Sequence, residues 1–426
     1  MALTGRAGLL ALAGALVVGL LLPSWAGIGL VAAVVVAGVA VDLALAGGVR
    51  GLEFSRSGAD RVRLGEAVEV ELVVANPGPR RVRGVLRDAW SPSAGVEREV
   101  HALDVPPGGR RAVVLRLRPT RRGDRWAHRV TVRAVGPLGL AARQGSHEVP
   151  WAVRVLPPFP SRRHLPPLLA RLRELDGRRA AQVRGRGTEF DSLREYVAGD
   201  DVRSIDWRAS ARSGDLVVRT WRPERGRHVV LVLDTGRTSA GRVGDAPRLD
   251  AAMDAALLLG ALAGRAGDRV DLLAHDRRLR VAARGSLPAL VDAMADLEPE
   301  LVESDARAVV REVLGRTRRR SLVVLLTGLD PAPLEQGLLP VLPSLTSRHQ
   351  LLVAAVADPG IERMARGRGD AEAVYGAAAA ERALAEREQV KALLRRHGVE
   401  VVDALPDDLP RALCERYLAL KAARKL

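Results

Sequence analysis

An acid and several hydroxyl residues follow an apolar strand pattern in the second half of the chain. The run HVVLVLD at residues 228–234 leads directly into TGRTSA, which places Asp234 and Thr238 at the carboxyl end of the expected strand. A carboxylate with neighbouring hydroxyl oxygens offers the hard oxygen ligands that Mg²⁺ binds in proteins. The pattern predicts a site for Mg²⁺ or Mn²⁺ at this strand end.

The spacing of these residues resembles the metal-ion-dependent adhesion site of von Willebrand factor type A domains, written D-x-S-x-S. Asp234 and Thr238 match its first and last positions, but a glycine stands where the middle serine is expected. The resemblance implies an acid after the central strand SLVVLLT, where Gly328 stands instead and Asp330 lies two residues further on. It also implies a threonine from another loop, for which Ser304 is the nearest hydroxyl. We predict an incomplete metal site with Asp234, Thr238 and Asp330 as ligands.

The alternative for the same residues is structural. Asp234 would then cap the following turn or helix and pair with an arginine. His275 and Asp276, which follow the strand pattern RVDLLA, are predicted to belong to a hairpin turn and not to a site.

A second stretch, FDSLREYVAGDDVRSIDWRASAR at residues 190–212, packs five acids, four arginines and three aromatic residues together. A charge network of this density requires a packed scaffold, which Phe190, Tyr196 and Trp207 would supply. The stretch is predicted to be a structural clasp at the edge of a sheet or a surface that docks a partner. Its ten key residues are Phe190, Arg194, Tyr196, Gly199, Asp200, Arg203, Asp206, Trp207, Ser210 and Arg212.

A metal-dependent hydrolase or nuclease is the alternative function, with an acidic cluster of Asp200, Asp201, Asp206 and Asp234 holding the metals. The sequence contains no GxSxG, HExxH, Walker A or CxxC motif. We therefore predict no catalytic residues and expect a protein that is not an enzyme.

Residues 187–212 resemble the signature of the bacterial family called domain of unknown function 58, G-x-x-F-x-x-L-R-x-Y-x-x-G-D-x-x-R-x-I-D-W-x-x-S-A-R. The matching residues are Gly187, Phe190, Leu193, Arg194, Tyr196, Gly199, Asp200, Arg203, Ile205, Asp206, Trp207, Ser210, Ala211 and Arg212. The resemblance extends over nearly the whole chain. It implies a membrane-anchored protein of undetermined activity that works with a MoxR-type AAA+ ATPase in maturing or remodelling other proteins.

The chain is strongly basic, with 66 lysines and arginines against 50 acids and a net charge of +16. Nucleic-acid binding is not predicted, because the arginines are spread over the chain and aromatic stacking residues are scarce. A single cysteine, Cys414, allows no internal disulfide and fits a reducing compartment.

Two apolar runs near the amino terminus predict a transmembrane hairpin with spans at about 7–25 and 26–46. The short connection carries no lysine or arginine, whereas Arg6 precedes the first span and Arg50 follows the second. Both termini are therefore expected in the cytoplasm, with the protein in the cell membrane. Asp42 is predicted to be a solvated residue at the end of its span, not a functional intramembrane acid.

The pattern beyond the hairpin predicts a multidomain chain. Short alternating runs at 51–156 indicate a β-sandwich, and apolar strands alternating with helices at 227–426 indicate a doubly wound α/β domain, similar to the von Willebrand A type. The predicted boundaries are 1–50 for the transmembrane hairpin, 51–156 for the β-sandwich, 157–186 for a Pro/Arg-rich connector, 187–226 for the signature segment and 227–426 for the α/β domain. We expect a membrane-anchored scaffold protein that binds other proteins.

Overall fold

The computed structural model describes residues 2–182, 189–198, 200, 202–222 and 227–423. The chain divides into two compact units, residues 1–156 and 157–426. The first unit contains two apolar helices and a mostly antiparallel β-structure, and the second contains a mixed α/β sheet with helices on both faces.

Two apolar helices open the first unit, α1 at Gly5–Leu21 and α2 at Trp25–Leu45. Pro23 lies in the three-residue connection, and Ser24 caps α2 by accepting a hydrogen bond from Gly27 N at 3.1 Å. At ~1.5 Å per residue α2 is about 31 Å long. Its length and composition suit a membrane span, whereas α1 falls short of that length.

The rest of the first unit is a β-sandwich of a seven-stranded and a three-stranded sheet. Its strands alternate between buried and solvent-facing residues: Val68, Val70, Leu72 and Val74 are all buried in one strand. Leu72 and Leu86 come from different sheets and share one core. The strands are β1 (Ala2–Leu3), β2 (Glu53–Gly58), β3 (Arg61–Arg63), β4 (Val68–Ala75), β5 (Val82–Trp90), β6 (Val100–Val105), β7 (Arg110–Leu117), β8 (Gly123–Val135), β9 (Ala141–His147) and β10 (Trp151–Leu156).

Asp42 fastens the end of α2 to the turn between β8 and β9. It is fully buried, and its carboxylate accepts hydrogen bonds from the backbone N–H groups of Leu138 (2.7 Å), Leu140 (2.6 Å) and Ala141 (2.8 Å). Thr4, ahead of α1, donates its N–H and its hydroxyl to the carbonyl of Leu140. The prediction of a solvated Asp42 is wrong, because the fold supplies three backbone donors from a turn almost 100 residues away.

The second unit is built around a six-stranded sheet in the order β17-β16-β13-β18-β19-β20. Five of its strands are parallel, and β17 is antiparallel at one edge. These strands are β13 (His228–Asp234), β16 (Arg269–His275), β17 (Leu279–Arg284), β18 (Leu322–Leu326), β19 (Gln350–Val356) and β20 (Glu400–Ala404). Both faces of the sheet are apolar, as expected when helices cover both of them.

Helices pack on each face of this sheet. Val230 and Val232 share a core with Val313 and Leu394 from helices on one face, and Leu231 lies against the helix at Gly260 on the other. The helices are α3 (Leu165–Gln182), α4 (Trp207–Ser213), α5 (Arg237–Ala240), α6 (Arg248–Arg265), α7 (Leu287–Met294), α8 (Ala306–Arg316), α9 (Pro331–Pro333), α10 (Leu342–Thr346), α11 (Pro359–Ala365), α12 (Ala371–Arg396) and α13 (Leu409–Ala422).

The described part of the segment predicted as a connector at 157–186, which ends at residue 182, carries regular structure. A 3₁₀ turn at Pro160–His164 leads into α3, whose Leu168 and Leu172 are buried. Ser161 donates its hydroxyl to the buried carboxylate of Asp254 in α6 at 2.7 Å. This segment is therefore packed against the α/β core of its own unit.

The signature segment forms a small element of its own. Strands β11 (Glu189–Glu195) and β12 (Val217–Arg222) pair antiparallel, and α4 lies between them in sequence. Two further short strands, β14 (Arg242–Val243) and β15 (Ala246–Pro247), form a hairpin ahead of α6.

Candidate functional site

The candidate site lies at the carboxyl edge of the six-stranded sheet, where the strand order reverses. The chain passes from β13 to β16 on one side and later to β18 on the other side of β13. At such a point the connections that leave neighbouring strands run in opposite directions, and a crevice forms between them. Open α/β sheets bind ligands in this crevice. Asp234, His275 and Thr327 stand at the ends of these three strands.

Three hydroxyl groups converge on the carboxylate of Asp234. Its Oδ2 accepts hydrogen bonds from Thr238 Oγ1 at 2.7 Å and Thr327 Oγ1 at 2.6 Å. Its Oδ1 accepts from Ser304 Oγ at 2.5 Å and from the N–H of Gly236 at 2.8 Å. We call Asp234, Thr238, Ser304 and Thr327 the Asp234 cluster. Four donors fill the acceptor positions of an ionised carboxylate.

The structure brings together two of the three predicted metal ligands. Thr238 contacts Asp234, but Asp330 faces Arg248, whose Nη1 lies 3.6 Å from Asp330 Oδ2. Thr327 was not predicted, although it directly follows the strand pattern SLVVLL and so occupies the same edge position as Asp234. Asp234 also caps the turn at Gly236, as the structural alternative expects, but in the described part of the chain no arginine pairs with it.

The donor set of the Asp234 cluster is of the type that a hard divalent cation binds. It consists of one carboxylate and three hydroxyl oxygens, and magnesium ordinarily combines one or two carboxylates with several waters. The hydroxyl protons would have to turn away from Asp234 to free oxygen lone pairs for a metal. Asp330 Oδ2 is buried and has no hydrogen-bond partner among the described residues.

An apolar cleft of about 420 Å³ opens beside the Asp234 cluster. Its walls include Val232, Leu325 and Leu334, and its polar end carries the cluster and His275. The loop that supplies Ser304 also presents Leu301, which is 81% exposed. A few polar groups at one end of an apolar concavity are typical of ligand-binding sites.

Asp276 belongs to the β16–β17 hairpin turn, as expected, and its carboxylate accepts a hydrogen bond from Arg278 N at 3.2 Å. His275 lines the cleft, although it also ends β16 just ahead of the β16–β17 hairpin. Burial disfavours the charged form of Asp276, but hydrogen bonds from Arg278 N and Thr235 Oγ1 outweigh it and lower the pKa of Asp276. Asp276 therefore stays ionised and holds Thr235, the neighbour of Asp234.

Asp200 and Asp206 each pair with an arginine in the described part of the signature segment. Arg194 Nη2 donates to Asp200 Oδ1 at 2.6 Å, and the other oxygen of Asp200 accepts from Val197 N at 3.0 Å. Asp200 thus closes the turn that follows β11.

The second ion pair is centred on Asp206, which caps α4. Its carboxylate accepts from the N–H groups of Arg208 and Ala209 at 3.1 Å and from Arg219 Nε at 2.8 Å. The hydrogen bond from Arg219 is the main cause of the lowered pKa of Asp206. Ser210 accepts from Val217 N at 2.9 Å, which ties α4 to β12. Arg219 was missing from the predicted network.

The predicted aromatic scaffold of this segment differs from the structure at Trp207. This side chain, at the first residue of α4, is 66% exposed. Tyr196 is half-buried, and Arg203 and Arg212 are exposed. Only the backbone of Phe190 is described, and Gly199 lies outside the described residues.

The acids proposed for a hydrolytic centre have different partners. Asp200 binds Arg194, Asp206 binds Arg219, and Asp234 binds hydroxyls at the sheet edge. Asp201 lies outside the described residues. Within those that are described, no three His, Cys, Asp or Glu side chains are grouped to hold a metal ion. The hydrolase alternative stays a prediction.

Residues 192–391 match the family model described as Protein of unknown function DUF58, which supports the resemblance of the signature. The chain is similar to the crystal structure of the CARDB domain of the PF1109 protein from Pyrococcus furiosus in complex with di-metal ions, with 19% identity, a TM-score of 0.19 and coverage of 24% of this chain and 86% of that one. It is also similar to a β-glucosidase from Listeria innocua, with 17% identity, a TM-score of 0.15 and coverage of 23% and 16%. Both TM-scores are too low to indicate a shared fold, so neither similarity carries an argument about fold or function. No curated protein matches the chain.

Proposed function

We propose that this chain, whose residues 192–391 match the DUF58 model, is a membrane-anchored protein-binding protein. Its α/β domain, of von Willebrand A type, binds another protein at the Asp234 cluster. The observation that carries the proposal is the convergence of Asp234, Thr238, Ser304 and Thr327 at the switch point of the sheet, beside an apolar cleft.

The hydrogen bonding of the cluster favours holding a ligand over reacting with one. Thr238, Ser304 and Thr327 all donate their hydroxyl protons to the same carboxylate. A hydroxyl nucleophile is normally activated by a histidine, lysine or amine base within hydrogen-bond reach. Among the described residues, none of these three hydroxyls is hydrogen-bonded to such a base. The exposed Leu301 on the adjoining loop offers apolar contact area to a partner at the rim of the cleft.

A divalent cation, Mg²⁺ or Mn²⁺, would be held by the oxygens of the Asp234 cluster. It would supply a positive charge at the mouth of the cleft and so attract a carboxylate of the partner protein. Melting of the full-length protein in detergent, with and without Mg²⁺, tests this. We expect Mg²⁺ to raise the melting temperature of the wild type but not of Asp234→Ala.

Asp330→Ala is the matched control for this experiment. Because Asp330 makes no hydrogen bond to Asp234 among the described residues and lies 3.6 Å from Arg248, we expect this variant to keep the response to Mg²⁺. An equal response to Mg²⁺ in Asp234→Ala and the wild type would end the metal proposal. Loss of the response in Asp330→Ala would instead restore Asp330 as a ligand.

The anchor is proposed to be a two-span hairpin with both ends in the cytoplasm. Thr4, just before α1, and Asp42, near the end of α2, both bind the β8–β9 turn. Apolar side chains along both helices are exposed, including Leu20 and Val36. These features favour two antiparallel helices in lipid, with the sandwich at their open end.

Thiol labelling in intact cells tests this topology, since the native Cys414 is buried. A cysteine at Trp25, the first residue of α2, should react with a membrane-impermeant reagent from outside. A cysteine at the exposed Ser57, in the sandwich, should react only after permeabilisation. Labelling of Ser57→Cys in intact cells would reverse the proposed orientation.

A MoxR-type AAA+ ATPase is proposed as the functional partner on the basis of the family resemblance alone. The signature segment offers a docking surface of exposed apolar residues, Leu193, Val197, Val202, Trp207 and Leu216. Co-purification with an AAA+ ATPase encoded beside this chain tests the pairing. Trp207→Ala should weaken it without changing the melting temperature, because the side chain is mostly exposed. Undiminished co-purification would remove Trp207 from the interface.

A further inference from the structure

A second cavity, of about 510 Å³, adjoins the cleft and shares His275 with it. Four arginines line it: Arg277 and Arg278 from the turn after β16, and Arg311 and Arg316 from α8. We call this space, lined by the four arginines, the arginine cavity. Its size falls within the range of small-molecule sites, ~300–1,000 Å³.

The positive charge of the arginine cavity is not balanced by nearby acids. Glu312 is its one acidic lining residue, and it pairs with Arg316 at 3.2 Å. Among the described residues, no carboxylate forms an ion pair with Arg277, Arg278 or Arg311. All three are exposed, so their guanidinium groups are accessible from solvent.

The adjacent acids are already engaged. Asp276 binds Arg280 at 3.2 Å and the hydroxyl of Thr235, and Glu300 also pairs with Arg280. Glu303 pairs with Arg237 at 3.1 Å. Rearranging them to neutralise the cavity would break these contacts, so the charge is available to a ligand.

His275 provides an independent indication of a missing partner. The residue is 2% exposed, and its Nδ1 is buried with no hydrogen-bond partner among the described residues. Buried polar atoms nearly always have a partner in the protein, in water or in a ligand. His275 also forms part of the wall of the arginine cavity.

We infer that the arginine cavity binds a small soluble ligand carrying two or more phosphate-type oxyanion groups. Guanidinium groups match phosphate oxygens in bidentate geometry, and three unpaired arginines exceed what one singly charged group requires. The inference is separate from the proposed protein-binding role, because it depends on no residue of the Asp234 cluster.

Calorimetric titration of the full-length protein with inorganic pyrophosphate tests the inference. The protein is held in a nonionic detergent at constant ionic strength, set with sodium chloride. We expect saturable binding by the wild type and an affinity roughly tenfold lower in Arg311→Gln, the loss typical of one charge-assisted hydrogen bond. Arg395→Gln, an exposed arginine of α12, removes the same charge elsewhere and should leave the affinity unchanged.

Each alternative result would overturn the inference. Absence of saturable binding by the wild type would show that the cavity does not take diphosphates. Equal weakening in Arg311→Gln and Arg395→Gln would show that pyrophosphate only screens the surplus positive charge of the chain. Unchanged affinity in Arg311→Gln, with a melting temperature equal to the wild type, would place the bound anion elsewhere.

Discussion

Replacing Asp42 by alanine should open the turn between β8 and β9. The substitution removes an ionised acceptor from three backbone N–H groups, those of Leu138, Leu140 and Ala141. Hydrogen bonds to a charged group contribute ~1.5–3 kcal/mol each. Leu138 is half-exposed, so water can replace part of the loss. We expect the local opening free energy to fall by about 3–5 kcal/mol.

Hydrogen–deuterium exchange of the full-length protein in detergent micelles measures this change. A fall of about 3–5 kcal/mol corresponds to exchange faster by roughly 150-fold to 4,000-fold. Asp42→Asn keeps one carbonyl acceptor and should show a smaller acceleration. Asp245→Ala, at an exposed site, is the control and should exchange as the wild type does. Unaltered exchange at residues 138–141 in Asp42→Ala would refute the reasoning.

Three further perturbations follow from buried charges. Arg56→Ala leaves Asp88 as an uncompensated charge in the sandwich core and should lower the free energy of unfolding by about 3–5 kcal/mol in denaturant titration; a loss below about 1 kcal/mol would contradict this. Burial lowers the pKa of His349. As the pH falls through about 6.5, His349 is therefore protonated in the unfolded chain but stays neutral in the folded protein, and the melting temperature decreases. His349→Gln should reduce this pH dependence of the melting temperature, and an unchanged pH profile would count against His349 as its source. Burial raises the pKa of Asp254, so its charge destabilises the folded state as the pH rises; Asp254→Asn keeps an acceptor for Ser161 and should melt no lower than the wild type, whereas a melting temperature lower by several degrees would show that the charge itself is needed.

Part of the candidate site can be predicted from the sequence, because the carboxyl ends of parallel strands lie at the same edge of the sheet. The run ending at Asp234 and the run ending before Thr327 are both continuous apolar strands, and parallel strands place their carboxyl ends together. Ser304 could be selected only as the nearest hydroxyl, since a loop position carries no periodicity. Asp330 was assigned by its distance along the chain, but the side chain turns toward Arg248.

The sequence by itself determined the local elements and their order: the apolar helices, the alternating strands of the sandwich and the continuous strands of the α/β sheet. Hydrophobic periodicity specifies these elements because each must bury one face or both. Only the tertiary structure decided the partners of polar groups. Asp42 meets a turn almost 100 residues away and Trp207 faces solvent. Hydrogen-bond partners depend on which distant segments of the chain pack together in the fold. The density of charged residues along the sequence does not indicate which segments these are.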